Sequence, residues 1–260
     1  NNRRDLAKFL IEKGINVNLI ELTRGHEDEV FSKSAFIIAV EQNDTEMMEL
    51  LLKKGAKISY QKGCDESPLM VASEKNNLDA VLFLIEKGAN VNERVGEYQT
   101  PLINAACYDA VDAIKILIEK GADIEAKSDS KTALLWALDL GLEKTALFLI
   151  NKGANVNIKD KDGFTALHYA AKSNLENIVK LLINKGLDIN YKNSMGDTPL
   201  HLSDSNLIPL LVENGANIND KNLEGYTRLH SDARNGNTSS VEYLLSQNAD
   251  IDSLSNELET

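Results

Sequence analysis

The feature that most constrains this chain is an internal repeat with a period of about 33 residues. A tetrapeptide, read as TALH at 165–168, returns in related form at steps of 33, 33, 32, 33, 33 and 29 residues. A second marker, of which KGANVN at 87–92 is an example, recurs with the same period. Two markers in step predict a solenoid, in which each repeat buries its apolar face only against its neighbours.

Each repeat has the signals of two helices joined by a turn. The tetrapeptide opens with Ser or Thr, a good N-cap, and Pro follows in three repeats, where its missing N–H costs nothing. Nine residues later stands a residue that tolerates the left-handed conformation ending a helix, such as Asn76 or Gly141. A second apolar-periodic segment follows, for example 175–184, and closes at Gly186. A polar turn then leads to the next repeat.

The motifs DGFTALHYAA, GDTPLHL and KGANVN resemble those of the ankyrin repeat family, which has a 33-residue period and a T-P-L-H-x-A motif. The resemblance covers nearly the whole chain. It implies an all-α ankyrin repeat solenoid: helix-turn-helix repeats whose turns project as β-hairpin fingers, in a curved, L-shaped array with the first helices lining a concave groove.

The pattern divides a single domain, 1–260, into one partial and seven full repeats. The partial repeat contains only a second helix, so we expect the natural protein to extend upstream. The expected segments are the partial repeat 1–18, an insertion loop 19–33, repeats at about 30–59, 60–92, 93–125, 126–157, 158–190, 191–219 and 220–252, and a C-terminal tail 253–260.

Two places break the period. The insertion at 19–33 lengthens one finger, and insertions in solenoids often fall on the binding face, although an exposed acidic loop without function is the alternative. The 29-residue step predicts a shortened first helix after Thr198. Ser203, Asp204 and Asp232 stand where other repeats have small apolar residues. They predict a polar capping end, with a functional kink as the alternative.

His168 occupies a position that recurs as His201 and His230 and becomes Leu135 or Met70 in other repeats. This variation favours a packing and hydrogen-bonding role. The family resemblance implies that the histidine braces a finger against the start of its helix. A metal site shared by the three histidines is not expected, because stacked helices lie roughly 8–10 Å apart whereas zinc binds its ligands at about 2 Å.

The motifs of common catalytic sites are absent from the sequence. No glycine-rich phosphate loop, HExxH, paired-cysteine ligand run or GxSxG occurs. We therefore predict no catalytic residue, no bound metal and no cofactor, and we expect the chain not to be an enzyme.

Composition limits the partners and the compartment. A net charge of −12 disfavours nucleic acid, and no apolar run approaches the roughly 20 residues of a membrane span. Cys64 and Cys107 are too few for a disulfide framework. We expect a monomeric domain in a reducing, cytoplasmic compartment, which is the host cytosol if the protein is a secreted effector.

Candidate binding residues come from two sets of positions. The fourth residue after each Ser or Thr is expected to face the groove, which selects Ile38, Val71, Asn104, Trp136, Tyr169, Leu202 and Ser231. The alternative is that adjacent repeats partly bury these positions. From the helices and the fingers together we predict that the partner contacts Asn104, Tyr108, Trp136, Leu140, Tyr169, Leu202, Glu97, Asp162, Phe164, Met195 and Tyr226.

The sequence thus predicts a protein-protein interaction module or scaffold that binds a protein or peptide along a groove centred on Trp136 and through its fingers. The alternative is a targeting arm of a larger enzyme, or of a bacterial or viral effector acting in a eukaryotic cell. A structural spacer is a third class. The resemblance also implies that asparaginyl hydroxylases modify this chain, with Asn92, Asn157, Asn190 and Asn219 as the candidate sites.

Overall fold

A computed structural model describes residues 2–18, 20–24, 30–59, 66–96 and 99–256. The chain forms two compact units, unit 1 (Asn1–Ala133) and unit 2 (Leu134–Thr260). Both are built of short helices in pairs, which confirms the all-α solenoid predicted from the repeat.

Unit 1 contains seven helices and two small antiparallel hairpins among its described residues. They are α1 (Asn2–Glu12), β1 (Ile20–Arg24), β2 (Val30–Ser34), α2 (Ala35–Glu41), α3 (Thr45–Lys53), α4 (Pro68–Glu74), α5 (Leu78–Glu86), α6 (Pro101–Cys107), α7 (Val111–Glu119), β3 (Lys127–Ser128) and β4 (Lys131–Thr132).

Unit 2 continues the alternation of shorter first helices and longer second helices. Its elements are α8 (Ala133–Asp139), α9 (Glu143–Asn151), α10 (Ala166–Lys172), α11 (Glu176–Asn184), α12 (Pro199–Leu202), a 3-10 turn (Ser205–Leu207), α13 (Ile208–Glu213), α14 (Arg228–Asn235) and α15 (Thr238–Ser246).

The predicted helix signals act as expected. The hydroxyls of Ser67 and Thr100 accept hydrogen bonds from the backbone N–H three residues on, which caps α4 and α6. Asn76 and Gly141 follow first helices with positive φ, 53° and 72°. First helices that end in this way are held to about two turns, and the chain then reverses into the second helix.

The core of each unit lies between helices of consecutive repeats. In unit 1, α4 packs on α2, α5 and α6, and Leu69 and Met70 are fully buried there. In unit 2, α12 packs on α10, α13 and α14, and Leu167 and Leu182 are fully buried. Burial of these side chains between neighbours is the main stabilising contribution, since neither helix of a pair is long enough to be stable alone.

The insertion at 19–33 contributes a longer antiparallel hairpin than the other fingers. β1 pairs with β2 in a register that places Ile20 opposite Ser34. Residues 25–29, with His26, lie outside the described residues. Other described fingers have shorter strand pairing: β3 and β4 have two residues each, and single bridges join Val95 to Gln99 and Lys159 to Thr165.

The 29-residue step shortens the first helix, as predicted. α12 has four residues, whereas α10 has seven. The prediction of a polar capping end at Asp232 is wrong, because Asp232 is 1% exposed and pairs with Arg228, which is 5% exposed. Arg228 Nη1 also donates to the carbonyls of Leu200 and Ser203 at the end of α12. The ion pair fills the space of the missing turn and satisfies backbone carbonyls that its loss leaves open.

Candidate protein-interaction surfaces

Two histidines at the start of first helices in unit 2, His168 and His201, join their repeat to the next finger. The Nδ1 of His168 accepts from the backbone N–H of Thr165 at 3.2 Å, and its Nε2 lies 3.0 Å from the carbonyl oxygen of Asp197. His201 makes the same pair of contacts, with Thr198 and with the carbonyl of Tyr226. The predicted bracing role is confirmed for both.

These contacts require a neutral imidazole with its proton on Nε2. Nδ1 must present a lone pair to the N–H of Thr165, so Nε2–H donates to Asp197. Burial lowers the pKa of His168 and of His201, since the charged form loses its hydration. His168 and His201 therefore have a structural role, which is to hold the start of a first helix against the finger of the next repeat.

In each repeat, the sequence predicts that the fourth residue after the capping Ser or Thr is exposed toward the groove. This prediction is wrong at three positions. Val71, Asn104 and Tyr169 are 4%, 3% and 4% exposed. Val71 lies on α4, which is covered from both sides by α2 and α6. Asn104 Nδ2 donates back to Glu66 of the preceding repeat at 2.8 Å. Helical spacing identified the face of these residues, but neighbouring repeats bury Val71 and Asn104.

Tyr169 is buried by its own finger. Its hydroxyl donates to the carboxylate of Asp160, and its ring lies 5.5 Å from the ring of Phe164. Burial, together with the hydrogen bond to Asp160, raises the pKa of Tyr169. The phenol thus ties the first helix α10 to the turn that precedes it.

Other predicted binding residues do reach the surface. Tyr108 follows α6 in unit 1 and is 60% exposed; Leu140 follows α8 in unit 2 and is 51% exposed. On the fingers of unit 2, Met195 is 55% exposed. Trp136, Leu202, Phe164 and Tyr226 are partly exposed, and Asp162 is exposed. Glu97 lies outside the described residues.

Leu223 is an exposed finger residue that sequence reasoning missed. It is 71% exposed, and its backbone N–H donates to the carbonyl of Met195 in the preceding finger. A Cβ on Gly196 would lie 2.7 Å from the same nitrogen, so glycine is required for this close approach. The signal available in the sequence was an apolar residue at a finger tip, as for Met195.

Three of the four candidate hydroxylation residues, Asn92, Asn190 and Asn219, link consecutive loops. Asn92 Nδ2 donates to the carbonyl of Gly121 at 3.0 Å, and its Oδ1 accepts from the N–H of Asp123 at 2.8 Å. Asn190 contacts the loop at Gly215 in the same way. Asn219 Oδ1 accepts from Asp250, and Asn157 is exposed. These three amides fix the spacing of the loops.

Reactive chemistry is not evident in the described part of the chain. Burial raises the pKa of Cys107 to about 11, which keeps its thiol protonated near neutral pH. Among the described residues, no three His, Cys, Asp or Glu side chains are grouped so that they could hold a metal ion. None of the described helices is both long enough and apolar enough to cross a membrane.

This chain belongs to the ankyrin repeat family. The family model for ankyrin repeats in sets of three copies matches residues 1–95, 93–160, 157–222 and 192–255. Ankyrin repeats generally serve as protein-protein interaction modules, and the fold is that of a non-catalytic interaction scaffold.

Among solved structures, the chain is similar to the ankyrin repeat domain of human ASB11. The sequences are 25% identical, the match covers 76% of this chain and 90% of that one, and the TM-score is 0.68. No protein of curated function matches the chain.

Proposed function

We propose that this chain binds a protein or peptide partner through the exposed ends of its first helices and through its fingers. The observation that carries the proposal is the exposure of large apolar side chains there: Tyr108 in unit 1, and Leu140 and Met195 in unit 2. Exposed aromatic and apolar side chains of this kind are typical anchors of protein interfaces.

Trp136, Leu202, Phe164 and Tyr226 are proposed as partly covered members of the same surfaces, with Asp162 at an edge. Glu97, outside the described residues, stays a partner-contact candidate from the sequence. Asn104 and Tyr169 belong to the proposal as buried residues that support the exposed ones. The charge of −12 favours a partner with lysine or arginine at the rim of its binding surface, because opposite charges speed association.

We further propose that the chain is part of a larger protein. In this proposal the chain is a monomeric targeting arm, either of a larger enzyme or of a bacterial or viral effector, and it acts in a eukaryotic cytosol. Asn92, Asn157, Asn190 and Asn219 are proposed as substrates of an asparaginyl hydroxylase. Mass spectrometry of the chain isolated from a eukaryotic cytosol would detect a gain of one oxygen at these residues.

The binding proposal is tested by capture followed by measured affinity. The immobilised chain is exposed to eukaryotic cytosol, the retained proteins are identified by mass spectrometry, and each is purified for calorimetric titration. Tyr108→Ala tests unit 1, and Leu140→Ala with Met195→Ala tests unit 2. We expect at least one of these variants to weaken binding about tenfold or more, since anchor residues typically contribute about 2 kcal/mol or more and tenfold corresponds to about 1.4 kcal/mol.

The control is Ile251→Ala with Leu254→Ala, which removes two other apolar side chains that are 71% and 48% exposed. The control is expected to bind as the wild type does. Equal affinity of all variants would show that the partner binds elsewhere.

A further inference from the structure

Two glutamates of unit 1 meet at one buried amide. Asn104 Nδ2 lies 2.8 Å from Oε1 of Glu66 and 3.4 Å from Oε2 of Glu74. Asn104 is 3% exposed, and the side chain of Glu74 is 8% exposed. Glu66 precedes the N-cap of α4, Glu74 ends α4, and Asn104 lies on α6. The network therefore joins two neighbouring repeats.

Burial and the carboxylate of Glu74 favour a proton on Glu66, whereas the ammonium of Lys75 opposes it. Lys75 places its Nζ 3.0 Å from Oε1 of Glu74. Burial raises the pKa of Glu66, and the nearby carboxylate of Glu74 raises it further, although the hydrogen bond from Asn104 opposes both effects. A protonated Glu66 donates its O–H to Glu74 while its other oxygen still accepts from Asn104.

The remaining charged or titratable groups that face this pair come from the adjoining helices. The hydrogen bond to Glu74 raises the pKa of Lys75, and the carboxylate of Glu41 on α2 contributes to this shift. Nζ of Lys33 lies 2.6 Å from Oε1 of Glu41. Tyr108, after α6, faces both glutamates, and the charge of Glu74 raises the pKa of its phenol. Among the described residues, Lys75 is the cation shown to act on the pair, and its Nζ contacts Glu74.

We propose that Glu66 and Glu74 form a pH-sensitive latch between two repeats of unit 1, closed when Glu66 is protonated and released when it ionises. In the closed state one proton and one amide link three side chains across α4 and α6. Ionisation of Glu66 replaces the carboxyl–carboxylate hydrogen bond by repulsion between two carboxylates with little solvent around them. The latch operates in the free chain and does not depend on the proposed partner.

The direction of the pH effect follows from linkage. The pKa of Glu66 is raised in the folded chain above the usual 4.5, so the folded state holds this proton more tightly than the unfolded state. The stabilisation is complete below the ordinary glutamate pKa and is lost as pH rises through the folded-state pKa.

The first test is carboxyl NMR of the whole chain, with carbon-13 glutamate, across a pH titration. The ordinary glutamate pKa of 4.5 provides the reference. We expect the carboxyl signal of Glu66 to titrate above that value. Titration of Glu66 at or below it would overturn the proposal.

The second test compares unfolding midpoints of the wild type and Glu66→Gln between about pH 4 and pH 7.5. Glutamine accepts from Asn104 and donates to Glu74 at every pH, so it keeps the latch closed. We expect the variant to equal the wild type at the acidic end and to exceed it as pH rises. Glu86→Gln, at an exposed position of α5, is the control for the loss of one carboxyl group away from the pair.

A difference between Glu66→Gln and the wild type that stays constant over this range would also overturn the latch. If the variant does not fold, the NMR titration of the wild type decides alone. Because neither experiment includes a partner, failure of the latch leaves the binding proposal to its own test.

Discussion

At the scale of single residues, a histidine buried in unit 2 joins two repeats through its two nitrogens. His168 is fully buried, and both nitrogens are hydrogen-bonded, one within its repeat and one to Asp197 in the next. In a neighbouring repeat Leu135 fills the same position. The position requires an apolar volume, and the imidazole adds a polar link.

Replacement of this imidazole by leucine should therefore destabilise the chain. We expect His168→Leu to cost about 1–3 kcal/mol near pH 7.5, because the N–H of Thr165 loses its partner and the carbonyl of Asp197 keeps only its bond from the N–H of Asn193. The pKa of His168 is lowered by burial, so its contribution is complete above the unfolded pKa of about 6.5 and falls as pH drops toward the folded value.

Urea unfolding at about pH 7.5 and pH 5 measures both effects, and the gap between variant and wild type should narrow at the lower pH. His230→Leu is the matched control. Within the described residues His230 bonds its own Thr227 but shows no bond from Nε2 to another repeat. Equal losses for the two variants would contradict the bridging role.

At the scale of secondary-structure elements, the four-residue helix α12 depends on a side chain from the next repeat. Arg228 and Asp232 stand where other first helices have Pro or Ala, as at Ala166 and Ala170. Asn237 Nδ2 donates to the second oxygen of Asp232 at 2.9 Å. The loss of a turn and the gain of this ion pair are thus two parts of one local structure.

This arrangement predicts strong coupling between the two charged residues. Arg228→Ala leaves Asp232 buried without its cation and should cost about 3–5 kcal/mol. Asp232→Ala should also be destabilising. Arg228→Ala with Asp232→Ala restores a pair of small residues and should cost less than the sum, with a coupling of about 1–3 kcal/mol.

A double-mutant cycle in urea unfolding measures this coupling. Arg234→Ala, at an exposed position of the same helix, is the control and should change stability little. Strict additivity of the two single changes would show that the pair contributes no interaction energy.

At the scale of the whole molecule, the helices of each unit contact mainly the adjacent repeat. α4 packs on α2 and α6, and α12 packs on α10 and α14. In such an array stability is approximately a sum of repeat and nearest-neighbour contributions. A substitution that destabilises one repeat should therefore lower the stability mainly of that repeat and its immediate neighbours.

Hydrogen exchange of the Arg228→Ala variant tests this locality under conditions in which the chain stays folded. We expect faster exchange in α12, α13 and α14 and unchanged exchange in α4 and α6 of unit 1. Mass spectrometry of peptic peptides reports each segment. A uniform increase over both units would mean that the chain unfolds as one cooperative body instead.

The sequence by itself determined the fold, because the relevant signals are local. The N-cap hydroxyl of Thr165, the left-handed residue Asn174 and the apolar spacing of the second helices act within a dozen residues and recur at a fixed period. The short first helix after Thr198 followed from a count of residues alone.

The tertiary structure decided which side chains are exposed and which polar groups meet. Helical spacing placed Asn104 and Tyr169 on the expected face, but a glutamate of the preceding repeat covers Asn104 and the finger of its own repeat covers Tyr169. The amide of Asn104 likewise joins glutamates of the preceding repeat. Arg228 and Asp232 lie on one helix, but their burial depends on the neighbouring repeat. Spacing along a chain specifies direction from a helix axis, whereas burial and pairing depend on what the next repeat places against it.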